Sequence, residues 1–454
     1  MWKLLFALVA LLAAPLTAAT AQGADYYVDQ ARGDDANSGS EAAPWRTIRN
    51  ALARAEAGST VWVGDGVYAT LVEDAPRGRR DYLRFRARPG ATPVIQGIRV
   101  GYKERAPALL SFEGIDVEGA VGHPPVWLVN VQGVEVLDAE IAPADWLGDG
   151  RGRPGIKLTD VQDVLIRGAR ILRNYRGMEI TGSGGVRVER NVIRPHGGTG
   201  IQYLGGNRDG VIDGNHIQGA PYVGHWKDPE AEGRPHASII SLRSGDVVIR
   251  NNILHGMGNT AAIMTYQPDG AGGEEAYSDV LIENNAIFDT RSTYALRFYN
   301  VGRNVRLRNN LVFGTVRPGD CNGATGSAKY RYNVAVVVHN MAAGVPNSSF
   351  VVENNILIGS LSAYHDITER NNLVWSRRIH KAWTLDGGPG SQVLTAERMG
   401  CGIYPRIFED GEFFYKPINF QSGNLTLEDF RRRSYQRRIG FDASLFDILR
   451  DLHR

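Results

Sequence analysis

Apolar residues in this chain come in short runs with a two-residue period, and one phrase keeps returning: an apolar run, a polar residue, one or two Asn, then a second apolar run. It spans Val164 to Ile171, Val186 to Ile193, Val211 to Ile217, Val247 to Ile253, Val280 to Ile287, Val305 to Val312, Phe350 to Leu357 and Ile367 to Val374. Closely spaced copies recur every 22 to 25 residues. That period predicts two strands joined by a sharp bend, with Asn in the left-handed backbone region it tolerates cheaply. Stacking the copies along an axis lets Asn side chains bond to the copies above and below. The expected fold is all-β, a single right-handed parallel β-helix of three sheets. Wider gaps before Val247, Val280 and Phe350 mark loops inserted into single turns, which tend to gather on the binding face.

The ends of the coil need covers, because bare strand edges and an apolar interior would face water. Asp25 to Asp29 reads as a strand, Gly33 to Gly39 as a polar loop, and Ala57 to Val63 as a further strand ahead of Gly66-Val67-Tyr68. Between them Ile48, Ala51, Leu52 and Ala55 fall at helical spacing. Residues 22–68 are therefore assigned as an N-terminal cap and 69–380 as coils. Residues 381–454 are assigned as a C-terminal cap, with basic amphipathic helices expected at Leu427 to Arg433 and Phe441 to Arg454. Residues 1–21 carry Lys3, an apolar run from Leu4 to Leu16, and small residues ending at Ala21, the pattern of a secretory signal peptide. No later stretch is long enough for a membrane span.

Composition narrows the partners. The formal net charge is +2, which gives no general attraction to nucleic acid. Cys321 and Cys401 are the two cysteines, and one disulfide or two free thiols both fit an exported protein. A monomer in the periplasm or outside the cell is expected.

The cap segment and the Asn ladder together resemble the pectate-lyase-like right-handed β-helix superfamily, over roughly residues 24 to 380. The resemblance implies the fold strongly and the chemistry weakly, since that superfamily includes polysaccharide lyases, uronate epimerases, glycoside hydrolases and non-catalytic adhesins. Several of its signatures are missing. The only Asp-Asp is Asp34-Asp35 in the N-terminal loop, so a two-carboxylate hydrolase would have to enlist Glu179 with Glu274 or Glu275. No compact acidic cluster for catalytic calcium is evident, nor is the epimerase-type Asp-Pro-His. Asp34, Asp35 and Asn37 offer oxygens for a structural calcium ion, though such a loop also serves simply as a turn.

Candidate chemistry comes from aligning one strand of each coil. The segments Ile156–Thr159, Met178–Thr181, Ile201–Leu204, Ile240–Arg243, Ile263–Tyr266, Leu296–Tyr299 and Val336–His339 should each bury their first and third residues. Two outward columns result. One runs Lys157, Glu179, Gln202, Ser241, Met264, Arg297, Val337; the other runs Thr159, Thr181, Leu204, Arg243, Tyr266, Tyr299, His339. With coils about 4.8 Å apart, Arg243, Tyr266, Tyr299 and His339 line up over roughly 15 Å beside Arg297. A one-residue slip would flip every face. The loops Gly219 to Arg234, Gln267 to Ser278 and Arg317 to Tyr332 should wall this face, bringing Tyr222, His225, Trp226, Lys227, His236 and Lys329 near it.

Guanidinium groups, phenols and an imidazole on one face suit an acidic polysaccharide. The expected reaction is β-elimination on a uronate polymer. Arg297 and Arg243 neutralise the carboxylate, and Tyr299 and His339 supply base and acid, with Tyr266 in reserve. Lys157, Glu179, Gln202, Trp226, Lys227 and His236 are the candidate substrate-binding residues, and no catalytic metal or other cofactor is required. A C5-epimerase, a glycoside hydrolase and a non-catalytic glycan-binding or envelope protein remain alternatives.

Overall fold

The computed structural model describes residues 23–119, 122–143, 153–219, 238–256, 261–265, 277–288, 294–313, 334–339, 341–358, 360–363, 367–376, 392–395, 408–409 and 412–413. Its strands stack in parallel into three ladders. The first ladder begins at Leu71–Glu73 and runs through Ile156, Met178, Ile201, Ile240, Ile263, Leu296 and Val336 to Leu361. A second starts at Asp25–Val28 and reaches Thr368–Arg370. The third runs from Val67–Tyr68 to Gln392–Thr395, which adds one more strand beyond Leu373–Ser376. Two long strands, Ile98–Glu113 and Val126–Leu137, pass through the first two ladders without a break, the chain bending at Leu109 and Asn130.

The core is the inside of this coil. Ile156, Leu158, Met178, Ile180, Ile201 and Tyr203 are buried, and the same alternation continues to Val336 and Val338. The bend between the second and third ladders divides its work between two residues. The left-handed position belongs to Asp138, Gly168, Arg190, Gly214 and then to the first Asn of each pair, Asn251, Asn284, Asn309, Asn354 and Asn371. The second Asn keeps ordinary backbone and builds the ladder. Asn285 Oδ1 accepts from the backbone N–H and the Nδ2 of Asn252, while Asn285 Nδ2 donates to the Ile249 carbonyl and to Asn310 Oδ1. The same bonds link Asn191, Asn215, Asn252, Asn285, Asn310, Asn355 and Asn372.

A charge column tracks this bend on the outer surface of the second ladder. Glu189, Asp213, Arg250, Glu283, Arg308, Glu353 and Arg370 stand in register, and Arg250–Asp213, Arg308–Glu283 and Arg370–Glu353 pair at 2.5–2.8 Å.

At the N-terminal end the expected helix forms at Ile48–Arg54. Thr47 caps it by accepting from the Asn50 N–H, and Ile48, Ala51 and Leu52 are buried against the first coil. Trp45 is buried and stacks on Tyr26 at 4.9 Å. Asp35 accepts from the N–H groups of Arg46 and Thr47 and from the Thr47 hydroxyl, and Asn37 Nδ2 donates to the Pro44 carbonyl. These side chains are spent on closing the turn. Among the described residues no group of three His, Cys, Asp or Glu is placed to hold a metal, and no helix is long and apolar enough to cross a membrane. The signal segment, both cysteines and the expected C-terminal helices lie outside the described residues.

Candidate active site

Strand register sets the two outward columns of the first ladder. Lys157 faces Glu179, then Gln202, Ser241, Met264, Arg297 and Val337 follow as direct neighbours on successive coils. In chain order, segments 144–153, 219–239, 256–262, 289–293 and 314–333 each fall between a third-ladder strand and the next first-ladder strand, whereas 266–279 falls between a first-ladder strand and the next second-ladder strand.

Within the second column, Tyr299 and His339 meet ring to ring, with centroids 4.2 Å apart and planes 3° from parallel. Arg297 lies across them. Its guanidinium carbon is 4.8 Å from the centre of the Tyr299 ring and 5.1 Å from that of Tyr294, and its Nε donates to His339 Nε2 at 3.3 Å. Tyr294 also presents its ring at 80° to His339, at 5.9 Å. The backbone beneath is pinned from inside. The Thr265 hydroxyl accepts from the Tyr299 N–H at 2.6 Å and donates to the Tyr299 carbonyl at 2.8 Å, and the His339 N–H donates to the Phe298 carbonyl.

This packing sets the electrostatics. Burial, reinforced by the nearby Arg297 charge, pushes His339 down to about 4 from its usual value near 6.5. The imidazole is therefore neutral at physiological pH, and because Nε2 accepts from Arg297 its proton resides on Nδ1. Two tyrosine faces orient the Arg297 guanidinium. Its terminal N–H groups retain the planar fork that grips a carboxylate with two parallel bonds.

The remaining candidates lie at increasing distance from this cluster. Arg243 is exposed, two coils away in the same column, with its backbone N–H on the Tyr203 carbonyl. Gln202, Glu179 and Lys157 stand three, four and five coils from Arg297, with buried Ser241 and Met264 between. Glu179 is held between Lys157 at 3.0 Å and Arg176 at 3.2 Å, so it belongs to an ion network remote from the Tyr299–His339 pair. Tyr266, Tyr222, His225, Trp226, Lys227, His236, Glu274, Glu275 and Lys329 fall outside the described residues.

Three features escaped the sequence reading. Tyr294 precedes the aligned tetrad as the first residue of the strand Tyr294–Phe298, where alternation from Leu296 and Phe298 would turn it inward, yet it is only partly buried and its ring meets Arg297 and His339. Thr265 did leave a signal, as a polar residue at an inward position that most coils fill with an apolar side chain. The third feature is a buried cluster at the start of the coil. Glu73 forms a two-pronged pair with Arg79, accepts from the Tyr102 hydroxyl and also meets Arg77. Burial, followed by the hydrogen bond to Glu73, raises the Tyr102 phenol above its usual range. With Glu73, Arg79 and Tyr102 all buried, the cluster braces the chain after Glu73.

Comparison with known proteins bears on the fold. A search of curated proteins returns no match. Among solved structures, pectate lyase Pel9A is 14% identical with a TM-score of 0.45, covering 77% of this chain and 78% of that one. The periplasmic alginate epimerase AlgG is 12% identical with a TM-score of 0.32, over 75% of each chain. PfbA, a surface adhesin of Streptococcus pneumoniae, is 12% identical with a TM-score of 0.38, over 73% of this chain and 83% of that one. Residues 31–75 match a family described as a protein of unknown function, DUF1565. The family described as right handed beta helix region matches residues 125–259 and again 154–360, together more than half of the chain. With three parallel ladders closed around one apolar core, the chain belongs to that right-handed β-helix family.

Proposed function

We propose that this protein is an exported enzyme that cleaves an acidic, uronate-containing polysaccharide by β-elimination, acting as a monomer. One observation carries the reading: Arg297, Tyr299 and His339, from two successive coils, are in mutual contact on the outer face of the first ladder. Each does one part of the elimination. Arg297 takes the substrate carboxylate, which acidifies the adjacent C–H and draws its N–H away from His339. His339, held neutral, removes that proton through Nε2. The electron pair forms the new carbon–carbon double bond, the glycosidic C–O bond at the next carbon breaks, and the Tyr299 hydroxyl donates a proton to the departing oxygen. A C5-epimerase would use the same first step and return a proton to the opposite face of the carbon.

The deciding experiment incubates purified protein with alginate, pectate, glucuronan and glycosaminoglycans while following the ultraviolet absorbance of an unsaturated uronate. Absorbance growing with chain shortening is expected. Reducing ends without absorbance would replace this reading with hydrolysis, deuterium uptake from solvent without cleavage would replace it with epimerisation, and binding without any turnover would make the protein a glycan-binding scaffold.

A further inference from the structure

The first outward column continues past Lys157 toward the N-terminus, through Trp127 and Arg99 to Val72. The Arg99 guanidinium lies 5.0 Å from the centre of the Trp127 ring, and His123 stacks on the same indole at 6.4 Å with planes 19° apart. Arg99 and His123 are exposed, and Val72 beside them is 49% exposed, one of two large apolar side chains so exposed among the described residues. Most outward arginines of the second ladder are ion-paired. Among the described residues no ion pair or hydrogen bond engages the Arg99 guanidinium. The Trp127 Nε1–H is buried and has no acceptor among the described residues.

An unpaired guanidinium held over an indole is a preorganised anion receptor. Contact with the indole restrains the side chain and leaves its N–H groups to donate two bonds to a carboxylate, at a smaller entropy cost than ordering a free Arg side chain. Lys157, next in register after Trp127, adds a second positive charge, partly offset by its pairing with Glu179. We propose that Arg99 and Trp127 form a second binding point, which takes a carboxylate-bearing sugar of the polymer six to seven coils from Arg297. Six to seven coil spacings amount to about 29–34 Å, the span of several sugars. The identity of the ligand rests on the uronate reading above; the built receptor does not.

The test measures binding of the full-length protein to glucuronan, alginate and pectate by titration calorimetry, for wild type, Arg99→Ala, Trp127→Ala and Trp127→Phe, with far-ultraviolet spectra to confirm folding. Affinity for the polymer that wild type binds is expected to fall at least tenfold in both alanine variants and to stay within about threefold of wild type in Trp127→Phe, which keeps the stacked face. Unchanged affinity in folded Arg99→Ala and Trp127→Ala overturns this site while leaving the cleavage reading intact. Affinity lost in the alanine variants of a wild type that binds but releases no unsaturated product supports this site and overturns the cleavage reading. A wild type that binds none of the polymers overturns both.

Discussion

At His339 two effects act in the same direction. Burial removes water from the charged imidazolium, and Arg297 repels it, so protonation is held off until about pH 4. The unfolded chain protonates this residue near 6.5, so between pH 6.5 and 4 the unfolded state binds more protons and the native state loses stability as the pH falls. Above 6.5 the residue contributes no pH dependence. Nuclear magnetic resonance titration should show the His339 ring titrating near 4. In Arg297→Gln it should rise yet stay below 6.5, because burial, the larger cause, remains; a ring that titrates near 6.5 in the wild type would refute the packing described. The acid limb of kcat/KM should fall at the same low pH, since that limb reports the free enzyme. Removing the carboxylate clamp in Arg297→Ala should lower kcat by about a hundredfold or more. Tyr299→Phe, which keeps the stack and loses only the proton donor, should cost about 10²–10⁴ in kcat. Full activity in both would remove them from the reaction. Residue identity and the two-residue period were enough to place Arg297, Tyr299 and His339 on one face. Strict alternation would turn Tyr294 inward with Leu296 and Phe298, and the strand breaks that alternation at its first residues, which is why Tyr294 emerged only from the folded chain.

At the level of elements, two stacked columns hold the coils in register, and their worth differs. The ion pairs of the second ladder are partly solvated, with Arg308 38% and Glu283 18% exposed, so each should contribute less than about 1 kcal/mol. The Asn ladder is buried, and each member satisfies groups on both neighbouring coils. Asn285→Ala would remove the acceptor of the Asn252 N–H and of one Asn252 Nδ2–H, the other staying on the Ile212 carbonyl, together with the donor to the Ile249 carbonyl, at a cost of about 2–4 kcal/mol. Arg308→Ala should cost less than 1 kcal/mol. Urea unfolding of the two variants side by side checks the contrast, and equal losses would contradict it. The repeated Asn was plain in the sequence. Which Asn of each pair bends the chain and which one bonds along the axis was not, because one-dimensional spacing cannot distinguish a backbone role from a side-chain role.

Across the whole molecule, stability passes from coil to neighbouring coil, so an end that opens exposes the next. Trp45, 1% exposed and packed between Tyr26 and Arg54, closes the N-terminal end. Trp45→Ala should cost about 3–5 kcal/mol, and limited proteolysis should then cut first in the N-terminal coils while the stack around the Asn ladder resists. Uniform protection along the chain would show that Trp45 does not govern the end.

The sequence by itself determined the coil, its inward and outward alternation and its capping helix, since these follow from local period and from residues with special backbone preferences. The folded chain decided what depends on neighbours brought close from far along the chain. It set Arg297 against His339 and thereby kept that imidazole neutral, it paired Lys157 and Arg176 with Glu179 and so set that carboxylate apart, and it carried the outward column on to Trp127 and Arg99. Charge, burial and ring contact are properties of separation in space, and only stacking coils about 4.8 Å apart turns residues tens of positions distant into adjacent groups.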